Sequence, residues 1–239
     1  MKRIAALLFL LINISLAAQV SEGGLPLGFS LDHDPEKYPG IALAPPDVNA
    51  MLDEDNKASQ PLPYRIGVGI PVDIRLAEQG AWSQAGRQGR ILRLGISSKG
   101  AQALVLYYRR FSIPEGGKLF IYSADRKQVL GAFTSRNNPS GGYFATEMIY
   151  GDGLVIEYDA PNGITGEPEI DIYQVHYVYR DISGSLVGES GPCEVNVNCP
   201  EGASWQNEKR SVAKIVLKAG LGTYLCTGSL VNNTRQDST

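Results

Sequence analysis

The chain has 239 residues, a formal net charge of −3, 43% hydrophobic residues and 20% charged ones. This balance fits an ordinary globular protein of one large or two modest domains, and the absence of any basic block excludes a nucleic-acid-gripping surface. Glycine (27), proline (14) and tyrosine (12) are abundant, a mix that suits strands joined by tight turns, because aromatic rings cover pleated surfaces and Gly/Pro supply turn dihedrals.

Lys2 and Arg3 precede an apolar run over residues 4–16, followed by Ser15, Ala17 and Ala18 and then Gln19. A basic start, a short apolar stretch and small residues at its end describe a secretory signal peptide over residues 1–18. The run is shorter than the roughly 20 residues of a membrane span, so no membrane association is expected after its removal. Export in turn permits disulfides.

Residues 19–63 form an acidic, proline-rich stretch with weak periodicity, carrying Pro35, Pro39, Pro45, Pro46, Asp47, Asp53 and Asp55 among others. It is expected to be an extended or loosely packed arm. Asp47 is placed to cap one helical turn over 48–52.

From 64 to 181 the pattern changes. Strand-like runs lie at 65–76, 91–97, 103–108, 118–123, 129–134, 143–149, 154–158 and 170–179, separated by turn signals such as Pro114-Glu115-Gly116-Gly117 and Gly151-Asp152-Gly153. Many short strands with no helical period between them predict an all-β domain, an antiparallel β-sandwich. Leu104, Leu106, Leu119, Ile121, Phe133 and Val155 are its inward candidates. A small-residue linker follows at 182–189. The remainder, 190–239, holds two strand-like runs, 212–217 and 223–231, too few to bury a core of their own. The chain reads as cut rather than finished.

Cys193, Cys199 and Cys226 all fall in this last part, and three is odd. The alternatives are a free thiol, an intermolecular bond or a missing partner. Their spacing is not that of a metal site, and His33 and His176 lie far away in sequence, so no metal or cofactor is expected. Nucleophilic serine chemistry needs a histidine base within reach. No histidine follows His176, so Ser211, Ser229 and Ser238 read as plain strand or loop hydroxyls. His176 itself, in an alternating aromatic strand, reads as a packed or edge histidine, and His33 as a solvated one. Gly67-Val68-Gly69 lacks the third glycine and the helix of a dinucleotide loop. Tyr107-Tyr108-Arg109-Arg110 reads as a strand end with long arginine stems.

Three stretches carry a further signal: Gly191-Pro192-Cys193; Asn196-Val197-Asn198-Cys199-Pro200-Glu201-Gly202 with Trp205 and Arg210-Ser211-Val212-Ala213; and Cys226-Thr227-Gly228-Ser229-Leu230-Val231. They resemble the beginning of the mature domain of lysyl endopeptidases, a bacterial branch of the trypsin-like serine proteases. Trp82, Phe111-Ser112-Ile113-Pro114, Gly151-Asp152 and Val175-His176-Tyr177 upstream resemble the pro-region of such precursors.

The resemblance implies the first strands of a trypsin-like double β-barrel over 190–239, with the catalytic His, Asp and Ser beyond Thr239. It implies a secreted, periplasmic or extracellular serine endopeptidase acting on protein or peptide substrates after Lys or another basic residue, with the sandwich as pro-domain partner of its own protease domain. Each of Cys193, Cys199 and Cys226 is then expected to pair with a residue beyond Thr239. The pro/mature boundary falls at Val187 and Gly188, where a lysine-specific enzyme has no basic residue to read; the nearest upstream is Arg180. The 239-residue chain itself is expected to lack peptidase activity. The alternative is a secreted, non-enzymatic β-sandwich binding module.

Overall fold

A computed structural model describes residues 21–31, 38–57, 63–164, 166–182 and 200–230. The strands in chain order are β1 (Gly40–Ala42), β2 (Tyr64–Arg75), β3 (Ala81–Gln84), β4 (Gly89–Ser97), β5 (Ala103–Ser112), β6 (Lys118–Ser123), β7 (Val129–Phe133), β8 (Phe144–Ala145), β9 (Ile149–Tyr150), β10 (Gly153–Pro161), β11 (Glu169–Val178), β12 (Val212–Ala219) and β13 (Gly222–Ser229). Three short helices, α1 (Val48–Lys57), α2 (Leu76–Gln79) and α3 (Gln206–Ser211), complete the elements used below. The protein is all-β in class, as its turn-punctuated sequence predicts. Among the described residues, no helix is long and apolar enough to cross a membrane.

The strands form two sheets. The first runs β1-β4-β10-β6-β7, with β3 also on β4, and the second runs β12-β13-β2-β11-β5-β8, with β9 also on β5. All the pairings are antiparallel except that of β1 with β4. Period-two alternation decides what each face sees. On β10, Leu154, Ile156, Tyr158 and Ala160 point between the sheets, where they meet Leu104, Leu106 and Phe111 of β5 and Val175 and Tyr177 of β11. At roughly 25 cal/mol per Å2 of apolar surface removed from water, such side chains supply the main drive for folding. The expected inward residues Leu104, Leu106, Leu119, Ile121 and Phe133 all lie in this core. Val155 is buried as well, but on the outer face of the first sheet, with Phe120 and Tyr122.

That outer face is covered because the arm is not loose. Glu22 N–H donates to Ala132 C=O beside β7 at 3.0 Å. The chain then crosses the sheet, with Phe29 packed edge-on against Tyr122 at 4.8 Å and Tyr38 under the Arg93 guanidinium at 5.1 Å. It leaves as β1 along the edge of β4, where Gly40 faces Gly95. Leu27 N–H donates to Asp159 Oδ2 at 3.0 Å and Gly28 N–H to Glu157 Oε1 at 2.6 Å. Both acids are buried, and Tyr122 O–H also donates to Glu157, at 2.8 Å. Arg93, likewise buried, sits opposite Glu157 in the register of β4 and β10, and the donors gathered on Glu157 are what a buried carboxylate requires. The expectation of a loosely packed arm is thus corrected over its described part. It was drawn from composition, and composition does not register backbone amides that find buried carboxylates.

The helical turn capped by Asp47 is present and longer than expected. Asp47 Oδ1 accepts from Ala50 N–H at 3.1 Å, and α1 runs on to Lys57.

Candidate functional site

The linker expected at 182–189 separates strands that share one sheet. β12 and β13 form a hairpin with Val212 opposite Ser229 and Ala219 opposite Gly222. β13 pairs in turn with the edge of β2, with Gly222 opposite Val68, Thr223 opposite Gly67 and Leu225 opposite Tyr64. Val216 and Leu225 of the hairpin pack on Ile66, Val105 and Val178 of the sandwich. An isolated two-stranded hairpin is marginal in water; this one is completed by the strand beside it and the apolar surface beneath it.

At the centre of the seam lies His176. Its side chain is withdrawn from solvent, as is that of Thr223. Nδ1 and Thr223 Oγ1 lie 2.5 Å apart, and Nε2 lies 3.3 Å from Gln174 Oε1. An amide oxygen only accepts, so Nε2 carries the proton and Nδ1 accepts from the threonine hydroxyl: a neutral imidazole with both nitrogens satisfied. Tyr107 lies against the ring, with centroids 4.4 Å apart. Burial, with a contribution from the Lys218 ammonium, lowers the His176 pKa from 6.5 to about 4. Gly69 leaves the room required, since a Cβ there would stand 2.7 Å from His176 Nε2. The strand glycine, unremarkable as a nucleotide motif, is the cavity for the histidine.

Beside the seam opens a cleft of about 600 Å3, lined by Tyr107, Tyr143, Phe144 and Tyr173 of the sandwich and Lys218 of the hairpin. Tyr143 and Tyr173 meet edge-to-face at 6.2 Å, and the Lys218 ammonium stands 5.6 Å from the Tyr107 ring and 5.7 Å from that of Tyr173, within cation–π reach.

At the other end of the seam, Asp55 of α1 gathers three partners. Arg180 donates to its Oδ2 at 2.9 Å, Tyr179 O–H to the same oxygen at 2.9 Å, and Arg65 Nε to Oδ1 at 2.7 Å. Burial alone would raise the Asp55 pKa, but bonding to Arg180, Tyr179 and Arg65 takes it below the usual value. Arg109 and Arg110, read as long-stemmed strand-end residues, pair with Asp73 and Glu169 respectively.

Of the residues singled out from sequence, Val187, Gly188, Cys193 and Cys199 lie outside the described residues, as do the signal segment, His33 and Ser238. Cys226 is half-buried, opposite Ile215, and has no disulfide partner among the described residues. Ser211 Oγ donates to Glu208 C=O at 2.7 Å. His176 thus meets a threonine and a glutamine, and the geometry is that of a structural junction rather than of a base and a nucleophile. Of the two readings of His176 from sequence, packed or edge, the structure shows the packed one, and Thr223 was missed because nothing local announces which strand will lie beside β2.

Comparison with known proteins bears on both sides of the seam. Residues 187–239 match the family described as "Lysyl endopeptidase, C-terminal domain". The chain is 27% identical to the lysyl endopeptidase of Pseudomonas aeruginosa over 81% of its own length, which covers 45% of that relative. It therefore spans less than half the length of the curated relative it matches.

Proposed function

We propose that this lysyl endopeptidase-like chain comprises the pro-region of a secreted serine endopeptidase and the opening strands of its catalytic domain. In this reading residues 1–18 direct export, the arm and sandwich up to residue 181 form the pro-domain, and the catalytic domain begins near Gly188. The sandwich acts as a folding template: it supplies to the hairpin β12–β13 a strand edge and an apolar bed before the rest of a β-barrel exists.

The observation that carries this reading is the pairing of β13 with β2 across the linker. A strand edge with unpaired N–H and C=O groups is a ready template for another strand, and addition to it gives main-chain hydrogen bonds in register. The buried His176–Thr223 bond fixes that register, because a one-residue slip would turn Thr223 to the opposite face. The enzyme would cut peptide bonds by acyl transfer after Lys or another basic residue, with the catalytic groups supplied outside the described residues.

The test is refolding of the catalytic domain that continues this chain, with and without residues 19–182 supplied in trans. Hydrolysis of a lysyl ester is expected to be recovered only when the sandwich is present during folding. Equal recovery without it would remove the template role. A second reading, ligand binding by the sandwich itself, is favoured by the aromatic cleft at Tyr143, Tyr173 and Lys218. A sandwich that leaves refolding unaffected but binds a peptide or saccharide at that cleft would establish it.

A further inference from the structure

The cleft beside the seam is built by both parts of the chain. Its volume, about 600 Å3, is that of a ligand site. Tyr107, Tyr143, Phe144 and Tyr173 supply aromatic walls. Tyr143 is 69% exposed, a large ring left in water beside three others. Such a ring is well suited to binding, because it offers contact area with few rotors and a polar tip. Tyr143 and Tyr173 stand at 88° to each other. They form a corner that takes a side chain, since two rings at right angles cannot both stack on one sugar.

The charge of the cleft is one-sided. Its lining residues include Lys218 and Arg136 and no Asp or Glu, although the whole chain carries −3. The Arg136 side chain is 78% exposed and pairs with Glu22 at 3.6 Å. Lys218 is half-buried against Tyr107 and Tyr173, and among the described residues its ammonium has no carboxylate partner. An ammonium carries three donors, and one held partly out of water gains most from an acceptor that is itself charged. Lys218 lies opposite Thr223 in the hairpin register, so the two side chains share a face. Thr223 bonds to His176, and Tyr107 lies against the His176 ring. The bond that seats the hairpin therefore also brings the ammonium to the cleft, and a one-residue slip would turn Lys218 to the other face.

We propose that this cleft binds an extended acidic peptide segment, with a carboxylate on Lys218 and a neighbouring apolar side chain in the tyrosine corner, and that the docked hairpin completes the site. It differs from the site of the second reading above in needing the hairpin as well as the sandwich. Peptide and hairpin then support each other by linkage: the affinity that Lys218 adds returns as protection of the hairpin against opening.

The experiment titrates the purified 239-residue protein calorimetrically with a blocked hexapeptide alternating glutamate and phenylalanine. One-to-one binding that weakens as salt rises is expected. The same peptide with glutamine in place of glutamate should bind about tenfold more weakly. Lys218→Gln should cost about tenfold in affinity and remove most of the salt dependence, while Lys218→Arg keeps both. Tyr143→Ala, at an exposed position that does not decide folding, should also cost about tenfold. Amide exchange at Gly222–Leu225 should slow on addition of peptide in the parent protein and not in Lys218→Gln, which separates a ligand contact from a packing role. No binding at millimolar peptide would overturn the inference, as would equal affinity for the glutamine peptide or unchanged affinity in Lys218→Gln. Tighter binding of tri-galacturonate than of the peptide would make the occupant a saccharide and overturn it too. The template role stands or falls separately, because refolding of the catalytic domain is scored without peptide.

Discussion

Thr223 of the hairpin donates a hydrogen bond from its hydroxyl to Nδ1 of His176 in the sandwich, across a seam from which both side chains are withdrawn. The pair joins strands that lie 47 residues apart in sequence, on either side of the expected linker. Thr223→Val keeps the shape and removes the donor, leaving an imidazole nitrogen buried and unsatisfied. The expected cost is roughly 1–3 kcal/mol, together with faster amide exchange at Gly222–Leu225. Unchanged exchange in that segment would show that the hairpin is held by strand pairing alone.

The same histidine gives the seam a pH dependence. Burial lowers its pKa from 6.5 to about 4, so in this interval the unfolded chain binds the proton more readily than the folded one. The stabilisation is complete above the unfolded value and is lost as pH falls through the folded one, up to roughly 3 kcal/mol in all. Facing the ring are Lys218 from β12, Tyr107 from β5, Gln174 from β11 and Thr223 from β13, and none of these described neighbours is a carboxylate that could receive the charge. Urea midpoints measured from pH 7 to pH 4 should decline, and His176→Gln should flatten the part of the decline above pH 5. Parallel curves for the two proteins would place the acid sensitivity elsewhere.

Gly28 is required by close approach. A Cβ at this position would lie 2.5 Å from Glu157 Oε2. Gly28→Ala is expected to lift the arm from the first sheet, destabilise the protein by about 1–3 kcal/mol, and quench less of the Tyr122 fluorescence by burial. Retained protection of the Leu27 and Gly28 amides would contradict this.

Asp159 responds to pH in the opposite sense to His176. Burial first, and the Glu157 charge next, raise its pKa well above the ordinary 3.8. A raised folded value contributes stability that is present below the unfolded pKa and lost as pH climbs toward the folded one. Docking of the arm should therefore weaken between mildly acid and mildly alkaline pH. Asp159→Asn, which keeps an acceptor for Leu27 N–H without the ionisation, should remove that loss. An alkaline decline equal in both proteins would rule Asp159 out as its origin.

Most strands were legible because burial imposes a period of two, and residues such as Leu104 and Leu106 or Leu119 and Ile121 announce it directly. Glu157 and Asp159 obey the same period and on that basis point outward, to solvent. They are buried only because Leu27 and Gly28, about 130 residues earlier, bring backbone donors to them, and a backbone donor leaves no trace in side-chain pattern. The seam escaped notice for a related reason. The sequence marks 212–217 and 223–231 as strands, and marks Gly67 and Gly69 as unusual within another, but which edges meet depends on chain reversals far longer than any local window. The boundary residues Val187 and Gly188 rest on composition and resemblance alone, and they lie outside the described residues.

The crossing of the arm over the first sheet also sets a schedule. Its anchors on β10 and the partners of β2 on β11 and β13 are all encoded more than 90 residues downstream of the segments they hold. During synthesis the arm and β2 must leave the ribosome with nothing to bind, and such long-range pairings close slowly because loop entropy is lost before contacts form. An unpaired β2 edge in the interim is open to any other extended chain. Refolding should therefore be slow and concentration-sensitive, with the hairpin, the latest in sequence of the described strands, sealing the edge that has waited longest.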